Sequence, residues 1–447
     1  MGGLGAVLEP AIVVGLLFGG TWINRNKKYN FTWQGRTQPH LPRVAIDEEN
    51  IPESPRSWTT DDALLQEKSN SGLLNPDNAH AKWRTRELKI FGFSKSILTP
   101  NSRAFENSRF SRIVKKMPFI QEVWYWGLIY WVYQLGRAFT AVTLVEGTVH
   151  VARKHALQLI ELEKSLHLFW ELPIQQFFLQ YPFAMTWINR IYSFIHIPGT
   201  ILFLVWLYNY TSPSPSSLPL PPTSHKPTIA GPRLFEARRR TMATCNLIAF
   251  IVFTLWPCMP PRLLSDPTYQ GPSASQARSY GFVDTVHGNG GEGSVWTQNK
   301  FCNQYAAMPS LHFGYSLLIG LTILSIPLAS DASTSNGHRR SSSGNLSISF
   351  KGSRLNIAYP HWKRALCVGL GIAYPLTILV AIIATANHFI LDAVAGAVVC
   401  GIAWWGNGIL LNLLPLEDWF LYFCGFTFTE RGVEAEPERN EAFFERE

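Results

Sequence analysis

The sequence predicts an all-α, polytopic membrane protein with a core of six transmembrane helices. Only 16% of its 447 residues are Asp, Glu, Lys or Arg, whereas soluble proteins average roughly 25%. Hydrophobic residues make up 47% of the chain and are gathered into separate long runs. Each run reaches the roughly 20 residues that a helix needs to cross a hydrocarbon core of about 30 Å. These observations disfavour an ordinary cytosolic globular protein.

Six apolar runs define the predicted core. The run at 123–145 contains one charged residue, Arg137, and the other five contain no Asp, Glu, Lys or Arg. Those five runs cover residues 191–210, 241–261, 306–329, 365–386 and 393–414.

A possible extra helix lies at the N-terminus. Residues 6–23 are apolar apart from Glu9, and basic residues follow them. This pattern fits either a membrane-spanning anchor or an interfacial helix, so residues 1–23 are a possible N-terminal membrane anchor.

The remaining segments are polar and give the domain organisation. Residues 24–117 read as a largely disordered cytosolic segment, and residues 118–416 as the six-helix membrane domain. Within that domain, the Pro/Ser-rich loop 211–228 and the Ser-rich loop 330–353 are also predicted to be disordered. Residues 417–447 form a cytosolic tail.

Residues 156–172 have the pattern of an amphipathic helix. Its apolar side contains Leu159, Leu162, Leu166 and Phe169, and its polar side contains Glu161, Lys164 and Glu171. Two interpretations stay open, namely a helix lying along the membrane surface and a helix packed against the bundle.

Charge distribution predicts the partners and the orientation. The formal net charge of +8 suits nucleic acid or an anionic membrane, and the apolar runs favour the membrane, so no nucleic-acid partner is expected. Lys and Arg are denser in loops 211–240 and 330–364 than in loops 146–190 and 262–305. The first two loops are therefore predicted to be cytosolic and the other two luminal.

Two short segments place ionisable side chains where apolar helices begin, a placement that is costly in a membrane and usually functional. They are residues 307–312 and 387–392, and the predicted topology puts both at the luminal face. Near the start of the first helix, free backbone N–H groups and the Ser310 hydroxyl could bind an anion beside His312.

The second segment suggests an oriented nucleophile. His388 and Asp392 are four residues apart, so on a helical turn the carboxylate can accept a hydrogen bond from one ring nitrogen and leave the other free to attack. Arg262, at the luminal end of the third run, is placed to neutralise phosphate oxygens.

These motifs resemble the type 2 phosphatidic acid phosphatase superfamily, and within it the branch of the fungal inositol phosphorylceramide synthase and related inositolphosphotransferases. The resemblance rests on residues 309–314, on His388 with Asp392, and on Trp-Pro at 256–257 with Pro-Pro-Arg at 260–262.

The resemblance implies specific roles and a location. His312 would be the general acid, His388 would form a phosphohistidine, and Asp392 would orient it. Lipids would be the substrates and no metal or cofactor would be needed. The enzyme would sit in a Golgi or other endomembrane, with its active site facing the lumen.

The chain also departs from the phosphatase members of the superfamily. Those members carry Ser-Arg at the positions of Ala381 and Ile382, and they have Pro after the Arg of their first motif, where Arg262 is followed by Leu263. Both departures are compatible with the inositolphosphotransferase branch. A lipid phosphate phosphatase and a non-catalytic multi-spanning protein remain the alternatives.

Several residues have a second, structural interpretation. Arg262 could contact lipid headgroups at the membrane edge, and Ser310 could simply cap a helix. His196 is either packed at a kink or lines the substrate cleft. The six cysteines form no CxxC or Cys/His cluster, so no metal site is expected.

Overall fold

The computed structural model describes residues 2–27, 29, 82–90, 92–143, 147–212, 231–285, 305–328, 344–350, 353–359 and 362–429. These residues are mostly helical. The helices are α1 (Gly2–Ile23), α2 (Arg109–Lys116), α3 (Phe119–Thr143), α4 (Thr148–Ser165), α5 (Glu171–Leu179), α6 (Pro182–Arg190), α7 (His196–Thr211), α8 (Pro232–Leu255), α9 (Ala274–Ser279), α10 (Leu311–Ser325), α11 (Trp362–Ala384), α12 (Ile390–Gly406) and α13 (Leu414–Cys424). The strands are β1 (Trp83–Ile90), β2 (Phe93–Pro100), β3 (Gly344–Phe350) and β4 (Ser353–Tyr359).

Each of the six apolar runs contains a helix, and these helices are α3, α7, α8, α10, α11 and α12. Among the described residues, three helical stretches are long and apolar enough to cross a membrane: Pro182–Thr211, Trp362–Ala384 and Ile390–Cys424. Helix α10 is apolar but has only 15 residues. Six spans therefore remain a prediction, whereas three candidate spans are found.

Two antiparallel hairpins correct the all-α prediction. Strand β1 pairs with β2 from Trp83 with Pro100 to Ile90 with Phe93, inside the segment 24–117 that was expected to be disordered. Its tight turn requires Gly92, whose φ is +87°. The β3–β4 hairpin lies partly in the predicted disordered loop 330–353. Neither hairpin was predicted. Strands β1 and β2 mix charged and polar residues without a clear apolar alternation, whereas Leu346, Ile348 and Phe350 of β3 do alternate with polar residues, and this strand signal was masked by the low apolar content of the loop. Loop 211–228 lies outside the described residues apart from its first two positions.

The described residues divide into two compact units, one within residues 1–24 and 122–410 and the other within residues 25–121 and 411–429. In the second unit, α13 includes part of what the sequence presented as a tail. Its Asp418 is buried and forms ion pairs with Arg84 and Arg86 of β1, the second through an Nε–Oδ2 distance of 2.9 Å. The Thr99 hydroxyl also donates a hydrogen bond to this carboxylate, at 2.7 Å.

In the first unit, glycines bring the backbone of α10 close to its neighbours. A Cβ built on Gly396 of α12 would lie 2.3 Å from the carbonyl oxygen of Ser310, and one on Gly320 of α10 would lie 2.3 Å from that of Gly371. Small residues at helix interfaces are the usual way for membrane helices to pack closely. Helix α10 is thus held tightly against both α11 and α12.

Helix α4 packs against the first unit's core, which is the second of the two interpretations of residues 156–172. Ala156, Leu159 and Ile160 are buried in a cluster that includes Phe389. The segment breaks between Ser165 and Glu171, where α5 begins. Glu171 was expected on a polar outer side, but it is completely buried.

Candidate active site

The two predicted motifs meet at one end of the helices in the first unit. The backbone N–H of Ser310 donates to the carbonyl oxygen of Asp392 at 2.9 Å, joining the starts of α10 and α12. The N–H of Arg262 donates to the carbonyl oxygen of Ala386 at 2.9 Å, which brings in the turn after α8. Segments far apart in the chain thus form one site.

His388 lies in the short connection between α11 and α12 and is 5% exposed. Its Nδ1 is 2.7 Å from the carbonyl oxygen of Ala307. Because a carbonyl only accepts, Nδ1 carries the proton and donates this hydrogen bond. In the neutral ring, Nε2 then carries the lone pair, and it lies 3.4 Å from Nδ1 of His312. The imidazole is therefore fixed in the tautomer that a nucleophile needs.

Asp392 contributes differently from the prediction. His388 precedes α12 and does not share a helical turn with Asp392. Asp392 Oδ2 accepts the N–H of Phe389 at 2.8 Å and so caps the helix, and it lies 3.5 Å from His388 Nδ1. The orienting hydrogen bond therefore goes to the Ala307 carbonyl, while the completely buried carboxylate adds a nearby negative charge.

His312 is the second residue of α10 and lies among aromatic rings. The centroid of Tyr192 is 4.9 Å from that of His312, and the centroid of His196 is 5.2 Å away. His196 is buried, and its Nδ1 lies 3.1 Å from the hydroxyl of Tyr374. His196, His312 and His388 are named here the histidine cluster. His196 lies next to the predicted general acid, and a π-helical turn, Ile191–Ile195, leads into it.

Ser310 has the contacts of a helix cap. It is the N-cap residue of α10, is completely buried, and its hydroxyl accepts the N–H of Phe313 at 3.4 Å. Pro309 precedes this cap instead of opening the first turn. A contact between Ser310 and phosphate stays a prediction.

Arg262 lies beside the connection that carries His388. Its Nε donates to Oδ1 of Asn387 at 2.8 Å, and its Nη1 forms an ion pair with Oδ2 of Asp284 at 2.8 Å. The side chain is only 9% exposed. These bonds hold the guanidinium next to the residue preceding His388, so its positive charge is fixed near the proposed nucleophile.

Arg153 supports the turn on which Arg262 stands. Its Nη1 and Nη2 donate to the carbonyl oxygens of Leu264 and Leu263 at 2.8 and 3.2 Å. The guanidinium carbon lies 3.9 Å from the centre of the Tyr269 ring. Burial lowers the pKa of Arg153, although the neighbouring Tyr269 opposes this effect. No sequence pattern distinguishes this residue.

Glu163 and Glu171 are two further residues that sequence reasoning missed. Both are completely buried, and each Oε1 accepts a backbone N–H at the start of α12: that of Leu391 at 2.9 Å for Glu163, and that of Ile390 at 2.7 Å for Glu171. A signal existed for Glu163, since it is four residues after Leu159 on the buried side of α4.

Ala381 and Ile382 are buried in an apolar cluster with Ile188 and Tyr192. Two apolar core residues therefore stand at the positions where the phosphatase members carry Ser-Arg. Among the described residues, no group of three or more His, Cys, Asp or Glu side chains is arranged to hold a metal ion.

Comparison with known proteins gives one match. Residues 157–216, 228–329 and 354–406 match the family model described as the PAP2 superfamily. These ranges contain every residue of the site described above except Arg153. No curated protein and no solved structure matches the chain significantly. Together with the three candidate spans, the match supports an integral membrane protein of the type 2 phosphatidic acid phosphatase superfamily.

Proposed function

We propose that this protein is a membrane phosphotransferase that moves an inositol-phosphate-type headgroup between lipids through a phosphohistidine on His388. The observation that carries the proposal is the pairing of two imidazoles from separate helical segments. His388 Nε2 faces His312 Nδ1 at 3.4 Å, while His388 Nδ1 donates to the Ala307 carbonyl. A superfamily of lipid phosphatases and phosphotransferases agrees with this arrangement.

The proposed reaction has two displacements at phosphorus. First, Nε2 of His388 attacks the phosphorus of the donor lipid, the bond to the diacylglycerol oxygen breaks, and His312 gives that oxygen a proton. Then His312 removes the proton of an acceptor hydroxyl. The resulting oxygen attacks phosphorus, and the bond from phosphorus to His388 breaks. Both histidines return to their starting states.

Fixed charges around the histidines assist both steps. The Asp392 carboxylate, 3.5 Å from His388 Nδ1, stabilises the positive charge that develops on the ring as Nε2 forms its bond. Arg262, held by Asn387, is proposed to neutralise the phosphate oxygens. We propose that the donor is phosphatidylinositol and the acceptor a ceramide-type lipid, as the resemblance to inositolphosphotransferases implies.

Two features favour a lipid acceptor over water. His196 and His388 are at most 5% exposed and His312 is only partly exposed, so water has restricted access to this part of the site. The apolar side chains of Ala381 and Ile382 also replace the Ser-Arg of the phosphatase members. We place the protein in a Golgi or related membrane with this site facing the lumen, on the basis of the Lys and Arg distribution in the loops and the resemblance.

A product analysis tests the proposed function. Purified protein with labelled phosphatidylinositol and ceramide in mixed micelles should yield an inositol-phosphate-carrying sphingolipid and diacylglycerol in equal amounts. A parallel sample with phosphatidic acid should release little free phosphate. Free phosphate as the sole product would identify a lipid phosphatase. Turnover of no lipid would favour the non-catalytic alternative.

Two substitutions of Arg262 distinguish the contribution of its positive charge from that of its two-pronged guanidinium geometry. Arg262→Ala should lower kcat/KM by about 10- to 100-fold, the effect of losing one or two charge-assisted hydrogen bonds. Arg262→Lys should restore only part of this loss, because an ammonium cannot reproduce the guanidinium's contacts with Asn387 and phosphate together. Initial rates over a range of donor concentrations measure the effect. Full activity of Arg262→Ala would assign Arg262 to the packing of the turn alone.

A further inference from the structure

The first turn of α12 is capped by three buried carboxyl groups. The N–H groups of Phe389, Ile390 and Leu391 donate to Asp392, Glu171 and Glu163, respectively. The first N–H groups of a helix have no partner within the helix and commonly bind phosphate. Here side chains already occupy them. This end of α12 therefore holds the segment that carries His388 in place, and it does not bind the substrate phosphate.

The two glutamates can form a stable pair only if they share a proton. Their Oε1 atoms accept the N–H groups of two consecutive residues, so the two buried carboxyl groups are neighbours, and two ionised carboxylates side by side would repel each other. No described donor reaches the Oε2 atom of either residue. Burial raises the pKa of Glu163 to about 9, with the charge of Glu171 as the next cause, and burial also raises the pKa of Glu171. Both shifts favour retention of a proton by the pair.

We propose that Glu163 and Glu171 are positioning residues for His388, acting as an acid–carboxylate pair that fixes the first turn of α12. The inference rests on the proposed function of His388. Ile390 and Leu391 follow His388 by two and three residues. Their peptide groups therefore set the direction in which the segment that carries His388 enters α12. That direction places Nε2 of His388 3.4 Å from His312. The pair acts through the backbone and touches no substrate.

Glutamine and alanine substitutions distinguish this pair from ordinary buried packing. In Glu163→Gln, the amide oxygen can accept the Leu391 N–H and the amide nitrogen can donate to the Glu171 carboxylate. We expect its kcat to stay within about threefold of the parent value, since both hydrogen bonds survive. Glu163→Ala should lower kcat by about 100-fold with KM changed less than about threefold, because the nucleophile is misplaced while lipid binding is kept.

Two further variants complete the set. Glu171→Gln should behave like Glu163→Gln, because either member can supply the shared hydrogen. Glu161→Ala, an exposed residue on the same helix, is the matched control and should retain full activity. A kcat for Glu163→Gln as low as that of Glu163→Ala would overturn the proton-sharing pair.

The pH dependence of stability provides a readout that needs no substrate. The folded state raises the pKa of Glu163, so it binds an extra proton between about pH 4.5 and 9, and stability falls as pH rises through that window. Glu171, Asp392 and Cys258 face the same region as Glu163, and His388 immediately precedes the turn that the pair caps. We expect the melting temperature of detergent-solubilised protein to fall less steeply with pH in Glu163→Gln than in the parent protein or in Glu161→Gln.

The pH-stability test of the pair and the lipid-transfer test of the proposed function can fail independently of each other. An unchanged pH slope in Glu163→Gln would overturn the shared proton even if the lipid reaction is confirmed. A flattened slope in a protein that transfers no headgroup would support the pair and reject the proposed function instead.

Discussion

His388→Ala should lower headgroup transfer by at least about a thousandfold, because it removes the proposed nucleophile. The residue is joined to Ala307 by a hydrogen bond and faces His312. Labelled product formed in single turnover is the direct measurement. With a donor labelled in its headgroup, the parent protein should also retain an acid-labile, base-stable label, whereas the variant should retain none.

Controls separate chemistry from folding in this experiment. His150→Ala removes an exposed histidine outside the histidine cluster and should leave transfer unchanged. The thermal stability of His388→Ala should be measured beside it, since the substitution leaves the Ala307 carbonyl without its partner. Transfer within about tenfold of the parent rate would exclude a covalent intermediate on His388.

Gly396→Ala is expected to have the second largest effect, because one methyl group cannot fit between α10 and α12. The added Cβ would lie 2.3 Å from the carbonyl oxygen of Ser310, well inside van der Waals contact. The helices must separate by roughly 1 Å, and a displacement of that size at reacting groups costs about 100-fold in rate. The distance between His312 and His388 depends on the close contact between α10 and α12. We therefore expect about a 100-fold loss in kcat together with a lower melting temperature.

Gly401→Ala is the matched control on the same helix. A Cβ at Gly401 would have no neighbouring heavy atom within 4 Å. Replacement of a helical glycine by alanine in open space favours the helix by roughly 0.5–1 kcal/mol. This variant should therefore keep the parent activity and melt at the same or a higher temperature. Equal behaviour of the two alanine variants would contradict the close contact between α10 and α12.

Hydropathy and spacing predicted much of what positions the site. Each predicted apolar run contains a helix, and the motifs at 307–312 and 387–392 meet as expected. Such features are visible in a sequence because each depends on a local pattern of apolar residues and on where an ionisable side chain interrupts it. The same short motifs carry the resemblance to the type 2 phosphatidic acid phosphatase superfamily, and the match to the PAP2 superfamily model supports it.

Tertiary contacts explain what the sequence could not predict. The partner that orients His388 is a main-chain carbonyl 81 residues away, and main-chain groups leave no mark on residue identity. The helical spacing of residues 156–172 predicts an outer position for Glu171, opposite the leucines. Its actual partner is the helix start at Ile390, a contact that spans 219 residues. The β1–β2 hairpin was not predicted, because the carboxylate that stabilises it, Asp418, lies 319 residues from Thr99 in the sequence.

The ion pairs of Asp418 also constrain how the chain can be shortened. Residues 25–121 and 411–429 belong to one compact unit although almost three hundred residues separate them in sequence. Removal of the last thirty residues would leave Arg84 and Arg86 without their carboxylate, and removal of the first hundred would leave that carboxylate buried without its arginines. Truncation past Arg86 from one end or past Asp418 from the other therefore damages the same small unit.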